Sequence, residues 1–202
     1  MRISAGETLL VATGNRGKLA EISALLLPFG VDVVSLTELR LSEPAETEFT
    51  LSGNALLKAR AGSAASGLVT LADDSGLEVL ALGGAPGIYT ADWAEGGMGR
   101  DFGRAMEKTW GLLQAVRAPA PRCAAFCCTL ALVRPDGEEQ VFAGRVEGQI
   151  VWPMRGAHGH GYDPIFMPDG YSQTFGEMDE AVKNLISHRA AAFAKLIEEC
   201  FT

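Results

Sequence analysis

Five segments of the chain carry residues whose type and spacing could do chemistry. The first is Thr13-Gly14-Asn15-Arg16-Gly17-Lys18, between a short apolar run and a helical stripe. A helix N-terminus offers free N–H groups and the positive end of a dipole. Gly14 and Gly17 would let the backbone approach a ligand, and Arg16 and Lys18 add positive charge. The segment reads as an anion site or as a polar strand-to-helix turn. It is not a P-loop, which needs Gly where Ala12 stands and Ser or Thr where Leu19 stands.

The second segment is Asp73-Asp74-Ser75-Gly76, following the apolar run Leu68–Ala72. Adjacent carboxylates in a strand point to opposite faces, so one of them can serve a site alone. Such a group could hold Mg²⁺ or take a proton from water. The same four residues also make a good turn. The third is Glu43-Pro44-Ala45-Glu46-Thr47-Glu48, a solvated acidic loop or a source of a second oxygen ligand. The fourth is Gly156-Ala157-His158-Gly159-His160-Gly161-Tyr162-Asp163-Pro164. It lacks a third His or Cys for a zinc site, and reads as a loop packed on a planar ligand or as a surface loop. The fifth is Lys183-Asn184-Leu185-Ile186-Ser187-His188-Arg189. Cations at the start of a helix oppose its dipole by about 0.3–1 kcal/mol each, and an anionic or carbonyl-bearing ligand would offset that.

These segments need elements to position them. Thr8–Ala12 reads as a buried strand, Arg16–Leu27 as an amphipathic helix closed by Pro28 and Gly30, and Val31–Ser35 as a second strand. Ser52–Ser66 reads as a helix with Ser52 as N-cap and Gly67 at its stop. Leu68–Ala72 and Leu77–Leu82 read as separate strands, and Gly99–Val116 as a helix. Cys123–Val133 and Glu138–Glu147 flank the hairpin signal Pro135-Asp136-Gly137. Ser187 is placed to cap a last helix running to about Cys200. Strand–helix alternation followed by a late hairpin predicts α/β with a mixed sheet.

Composition excludes several classes. The chain has 202 residues, 48 % apolar and 21 % charged, a globular balance suited to one domain. The longest nearly apolar run, Cys123–Val133, is far short of the ~20 residues of a membrane helix. Leu9–Ala12 is too short for a secretory core. The four cysteines show no framework spacing, and the three in the apolar segment read as buried free thiols in a reducing cytoplasm. A net charge of −8 argues against non-specific binding of polymeric nucleic acid. It leaves open a small polyanion met by local charge and a metal. Glycine is in excess, 24 residues, and much of it clusters beside these polar segments.

Taken together, the segments resemble the inosine triphosphate pyrophosphatase family, whose members are also described as Ham1-like. The resemblance runs from about Leu9 to Leu196, through ATGNRGK (Ala12–Lys18), AETEFTLSGNALLKA (Ala45–Ala59), LADDSGLEV (Leu71–Val79), LGGAPGIYTA (Leu82–Ala91), GHGYDPIF (Gly159–Phe166) and KNLISHRA (Lys183–Ala190). It implies an elongated mixed sheet flanked by helices, with two lobes and a central cleft, in one domain spanning 1–202. It implies Mg²⁺-dependent hydrolysis of ITP, dITP and XTP to monophosphate and pyrophosphate by a cytoplasmic homodimer. By position, Thr13, Gly14, Asn15, Arg16, Gly17 and Lys18 would hold the triphosphate. Asp74 would be general base and, with Glu46, metal ligand, and Ser75 would touch substrate. His160, Gly161, Tyr162 and Asp163 would form the base-side loop. Lys183 would lie near the phosphates, and His188 and Arg189 would read the purine. One position departs. The family loop is commonly Phe-Gly-Tyr-Asp, and His160 offers less stacking area and a titrating charge.

Overall fold

The computed structural model describes residues 1–97 and 99–201. In chain order its elements are β1 (Thr8–Val11), α1 (Arg16–Leu26), β2 (Asp32–Ser35), α2 (Leu51–Ser66), β3 (Val69–Val79), β4 (Pro86–Gly87), β5 (Glu95–Gly96), β6 (Gly99–Arg100), α3 (Phe102–Ala115), β7 (Cys123–Val133), β8 (Glu139–Ile150), β9 (Phe166–Pro168), α4 (Glu180–Ile186) and α5 (His188–Cys200). The main sheet runs β2-β1-β3-β7-β8-β9, with β4 paired to β3. β1 is parallel to β2 and β3, whereas β4 and β9 pair antiparallel, so the sheet is mixed as expected. The chain divides into two compact units. One holds Met1–Asp74, Cys128–Ala143 and the chain from Ala192 on, and the other holds Ser75–Cys127 and Gly144–Ala191.

In the first unit, strand alternation builds two cores from one sheet. Leu9, Val11, Val69, Leu71, Leu130 and Leu132 join Ile22 and Leu26 of α1 and Phe193 and Leu196 of α5. Leu10, Ala12, Ala72, Ala131 and Val133 join Ala55 and Ala59 of α2. α1 and α2 therefore cover opposite faces of β1, the arrangement that opens a crevice beyond the carboxyl ends of parallel strands. In the second unit, Leu77, Val79, Phe126, Ile150, Tyr162, Phe166 and Phe175 pack with Ala105, Met106 and Leu113 of α3.

Several boundaries differ from the sequence reading. Asp73-Asp74-Ser75-Gly76 is not a turn, because β3 continues unbroken through it. β4 pairs with its far end, and Gly76 leaves room there: a Cβ on Gly76 would lie 2.3 Å from the Gly87 carbonyl oxygen. Gly76→Ala is therefore expected to destabilise the protein by about 2 kcal/mol, a fall in Tm of about 4–8 °C by thermal unfolding. Thr50, not Ser52, caps α2, its Oγ1 accepting from the Gly53 N–H at 3.0 Å. Gly67 ends that helix with φ of 69°, as a C-cap glycine should. α3 starts later than Gly99, where Asp101 accepts from the Arg104 N–H. Cys127, Cys128 and Cys200 are buried thiols, but Cys123, first in β7, is exposed. Among the described residues no helix is long and apolar enough to cross a membrane.

Candidate functional site

In the loop after β1, side-chain oxygens accept from the backbone N–H groups of Gly14, Asn15, Gly17 and Lys18. Asn15 caps α1, its Oδ1 accepting from Gly17 N–H at 2.9 Å and Lys18 N–H at 3.2 Å. The Thr13 hydroxyl, in a buried residue, accepts from the Asn15 N–H at 3.2 Å. The Gly14 N–H donates at 2.9 Å to a carboxylate oxygen of Glu43. A Cβ at Gly14 would lie 2.8 Å from that oxygen, so a side chain there would push the Glu43 carboxylate aside. Arg16 is exposed at the first position of the helix.

β3 delivers its two carboxylates to opposite faces, by the alternation read in the sequence. Asp73 shares the parity of Val69 and Leu71 and meets Lys18 from α1 at 2.8 Å, its side chain fully buried. Asp74 shares the parity of Thr70 and Ala72 and meets α2. There Asn54 Nδ2 donates to its Oδ2 at 3.2 Å, and the Lys58 ammonium lies 3.8 Å from its Oδ1. Lys58 also holds Glu46 at 2.6 Å and lies 3.8 Å from Glu43. Asn54 accepts from the Glu48 N–H at 3.0 Å and so ties the acidic segment to the same point. Burial pushes the Asp74 carboxyl up to about 6, and Glu46 adds to the rise, against the opposing pull of Lys58, Lys18 and Asn54. Burial works against the charge on Lys58, yet Asp74, Glu46 and Asp73 together raise its pKa.

Lys58 and Asn54 were missed as site residues in the sequence, although a signal was present. The buried face of α2 reads Asn54, Ala55, Lys58, Ala59, Gly62 and Ser63. Asn54 and Lys58, at i and i+4 of a small-residue stripe, share the face that meets the sheet. Ser75, next along β3, is half-buried and belongs to the second unit.

The second unit gathers the remaining candidates. Asp163 is buried, accepts from the His160 N–H at 2.6 Å and pairs with the Lys183 ammonium. Lys183 lies ahead of the last helix, in the last turn of a separate short helix, α4, where a cation suits the dipole. His188 and Arg189 do open α5, and the Ser187 hydroxyl accepts from the Ala190 N–H at 3.1 Å. Tyr162 is wholly buried, with its hydroxyl on the Thr90 carbonyl at 3.2 Å. Its ring thus anchors the loop from beneath, and burial raises its pKa. His160 is exposed, with Gly161 (φ 69°) after it.

The topology is that of an α/β protein with a mixed sheet, a glycine-bearing turn after β1 and a carboxylate–ammonium cluster at β3. The chain belongs to the Ham1 family, whose sequence model matches residues 9–199. It is 57 % identical over 196 residues to a dITP/XTP pyrophosphatase of Ruegeria pomeroyi, covering 97 % of this chain and 96 % of that one. It is 50 % identical over 204 residues to a dITP/XTP pyrophosphatase of Agrobacterium fabrum, covering 96 % and 95 %. Among solved structures, a HAM1 protein from Coxiella burnetii superposes with a TM-score of 0.89 at 34 % identity, covering 96 % and 98 % of the two chains. A nucleoside-triphosphatase / dITP/XTP pyrophosphatase from Mycobacterium abscessus gives 0.78 at 42 % identity, covering 94 % and 98 %.

Proposed function

We propose that this protein is a Mg²⁺-dependent pyrophosphatase. It hydrolyses ITP, dITP and XTP to the monophosphate and pyrophosphate, and so clears non-canonical purines from the nucleotide pool. The observation that carries the reading is Asp74, a buried carboxylate held by Asn54 and Lys58 in the same unit as the loop after β1, whose Gly14 N–H meets the Glu43 carboxylate. The likeness to dITP/XTP pyrophosphatases supports the substrate class.

The donor set suits a hard cation. Among the described residues no three His, Cys, Asp or Glu side chains form a metal-binding group. Mg²⁺ does not need one, because it binds through one or two carboxylates together with waters and substrate phosphates. Glu46 and Asp74 are both drawn to Lys58 and supply oxygen donors only. When bound, Mg²⁺ neutralises phosphate charge and the departing pyrophosphate.

The residues divide the work. Gly14 N–H, Arg16 and Lys18 bind the phosphates, and Thr13, Asn15 and Gly17 shape the loop that presents them. Asp74 orients a water and takes its proton as the oxygen bonds to the α-phosphorus. The bond from that phosphorus to the bridging oxygen breaks, and pyrophosphate leaves. Lys58 holds Asp74 charged and aimed. Lys183 contacts the substrate near the phosphates, and Ser75 touches it. His188 and Arg189, with the His160–Asp163 loop, serve the base. Hypoxanthine and xanthine present a 6-oxo acceptor and an N1–H donor, and adenine the reverse. Donors such as Arg189 therefore favour the first pair and leave adenine unpaired. Action of both units as one domain, assembly as a homodimer and a place in the cytoplasm belong to the same reading.

Pyrophosphate release from ITP, XTP, GTP and ATP tests it. With Mg²⁺, kcat/KM for ITP and XTP is expected to exceed that for ATP by about a hundredfold or more. Activity should vanish with a chelator and return with Mg²⁺. Equal rates on ITP and ATP, turnover only of modified pyrimidine nucleotides, or binding without turnover would each overturn it.

A further inference from the structure

We propose that Phe126 is a positioning residue for base recognition, whose ring sets the plane of the His188 imidazole. The proposal rests on the reading of His188 as a purine-end donor, and it adds a residue that touches no substrate.

The N–H groups of an imidazole lie in its ring plane, so whatever fixes the plane fixes the direction in which they donate. Left to itself, the second side-chain torsion of histidine is broad. His188 is 7 % exposed, and its ring lies nearly parallel to Phe126, at 14° with centroids 5.0 Å apart. Tilting the imidazole would drive it into the phenyl face. Phe126 cannot yield, because Phe166 meets it edge-on at 4.7 Å and Phe175 stacks with it at 6.0 Å and 18°. Phe166 and Phe175 close the triangle at 5.2 Å. Offset and edge-to-face contacts of this kind stabilise a ring in one orientation.

The same array reaches a second residue assigned to the substrate. The Lys183 ammonium lies 5.7 Å over the Phe175 ring and pairs with Asp163. Asp163 in turn accepts from the His160 N–H. β7 brings Phe126 to this point by alternation, two residues from Ala124 in the same core. An aliphatic side chain would fill the core equally well, so hydrophobicity alone does not call for a flat ring.

The test compares Phe126→Leu, which keeps an apolar side chain without a flat face, with Phe126→Tyr, which keeps the face. Leu113→Ala, in the same core but outside the ring array, controls for lost stability. Phe126→Leu is expected to lower the ITP-over-ATP ratio of kcat/KM about tenfold, chiefly through KM for ITP. Phe126→Tyr and Leu113→Ala should leave the ratio within about twofold of wild type. In the NMR spectrum, ring-current shielding of the His188 ring protons should be lost in Phe126→Leu and kept in Phe126→Tyr. The proposal is overturned by an unchanged ratio and unchanged His188 signals in Phe126→Leu, or by an equal loss in Leu113→Ala. Wild-type protein without preference for ITP would overturn the functional reading instead, and the His188 signals would then decide the positioning role alone.

Discussion

Asp74→Asn is expected to lower kcat for ITP about a thousandfold while leaving nucleotide affinity within about threefold of wild type. An amide has the shape of a carboxylate and can still accept from the Asn54 amide, which lies 3.2 Å from Oδ2. Lys58 keeps Glu46 at 2.6 Å as its closest partner, so the cluster does not lose its anchor. What disappears is the ability to take a proton from the attacking water. The phosphate contacts proposed above lie elsewhere, on the loop after β1 that carries Gly14. Steady-state kinetics paired with calorimetric binding of a non-hydrolysable analogue separates the two effects. Near-normal turnover would remove Asp74 from the chemistry.

Lys58→Met should carry the largest stability loss of any single change in this cluster, about 3 kcal/mol by urea unfolding. The Lys58 side chain is 3 % exposed and Asp74 9 %, whereas Glu46 is 41 % exposed. Removing the ammonium therefore strands mainly Asp74, since Glu46 can turn to water. Combining the two changes, Lys58→Met with Asp74→Asn, should recover more than half of that stability, because no uncompensated buried charge remains. Activity should not recover. A double variant no more stable than Lys58→Met would show that the ammonium acts through Glu46 or Glu43 instead.

The parts of this site that obey a local rule were legible in the sequence. The turn after β1 was marked by Gly14 and Gly17 between an apolar run and a helical stripe, and the opposed aim of Asp73 and Asp74 follows from strand periodicity alone. Other features depended on partners distant in sequence. Asp-Asp-Ser-Gly has turn chemistry, and it is extended because β4 pairs with Leu77 and Glu78 and leaves no room beyond Gly76. The stripe on α2 could point Lys58 at the sheet, but only the fold brings Asp74, Glu46 and Glu43 around it. Tyr162 stood in a motif and proved to be buried, because its hydroxyl reaches the Thr90 carbonyl 72 positions earlier. Phe126 had no polar signal at all, and its importance comes from four rings brought together from β7, β9, α5 and the segment carrying Phe175.

The unbroken course of β3 also limits how this segment can change over time. Its two carboxylates have different neighbours solely because one sits at an odd step and the other at an even step of the same strand. Replacing a side chain alters one neighbour, but deleting or inserting a single residue between Val69 and Asp73 would exchange the faces of everything downstream. Asp73 would then face α2 and Asp74 would face Lys18. The segment can drift in composition yet not in length, and any change in length must fall outside it, at Gly67 before the strand or beyond Val79 after it.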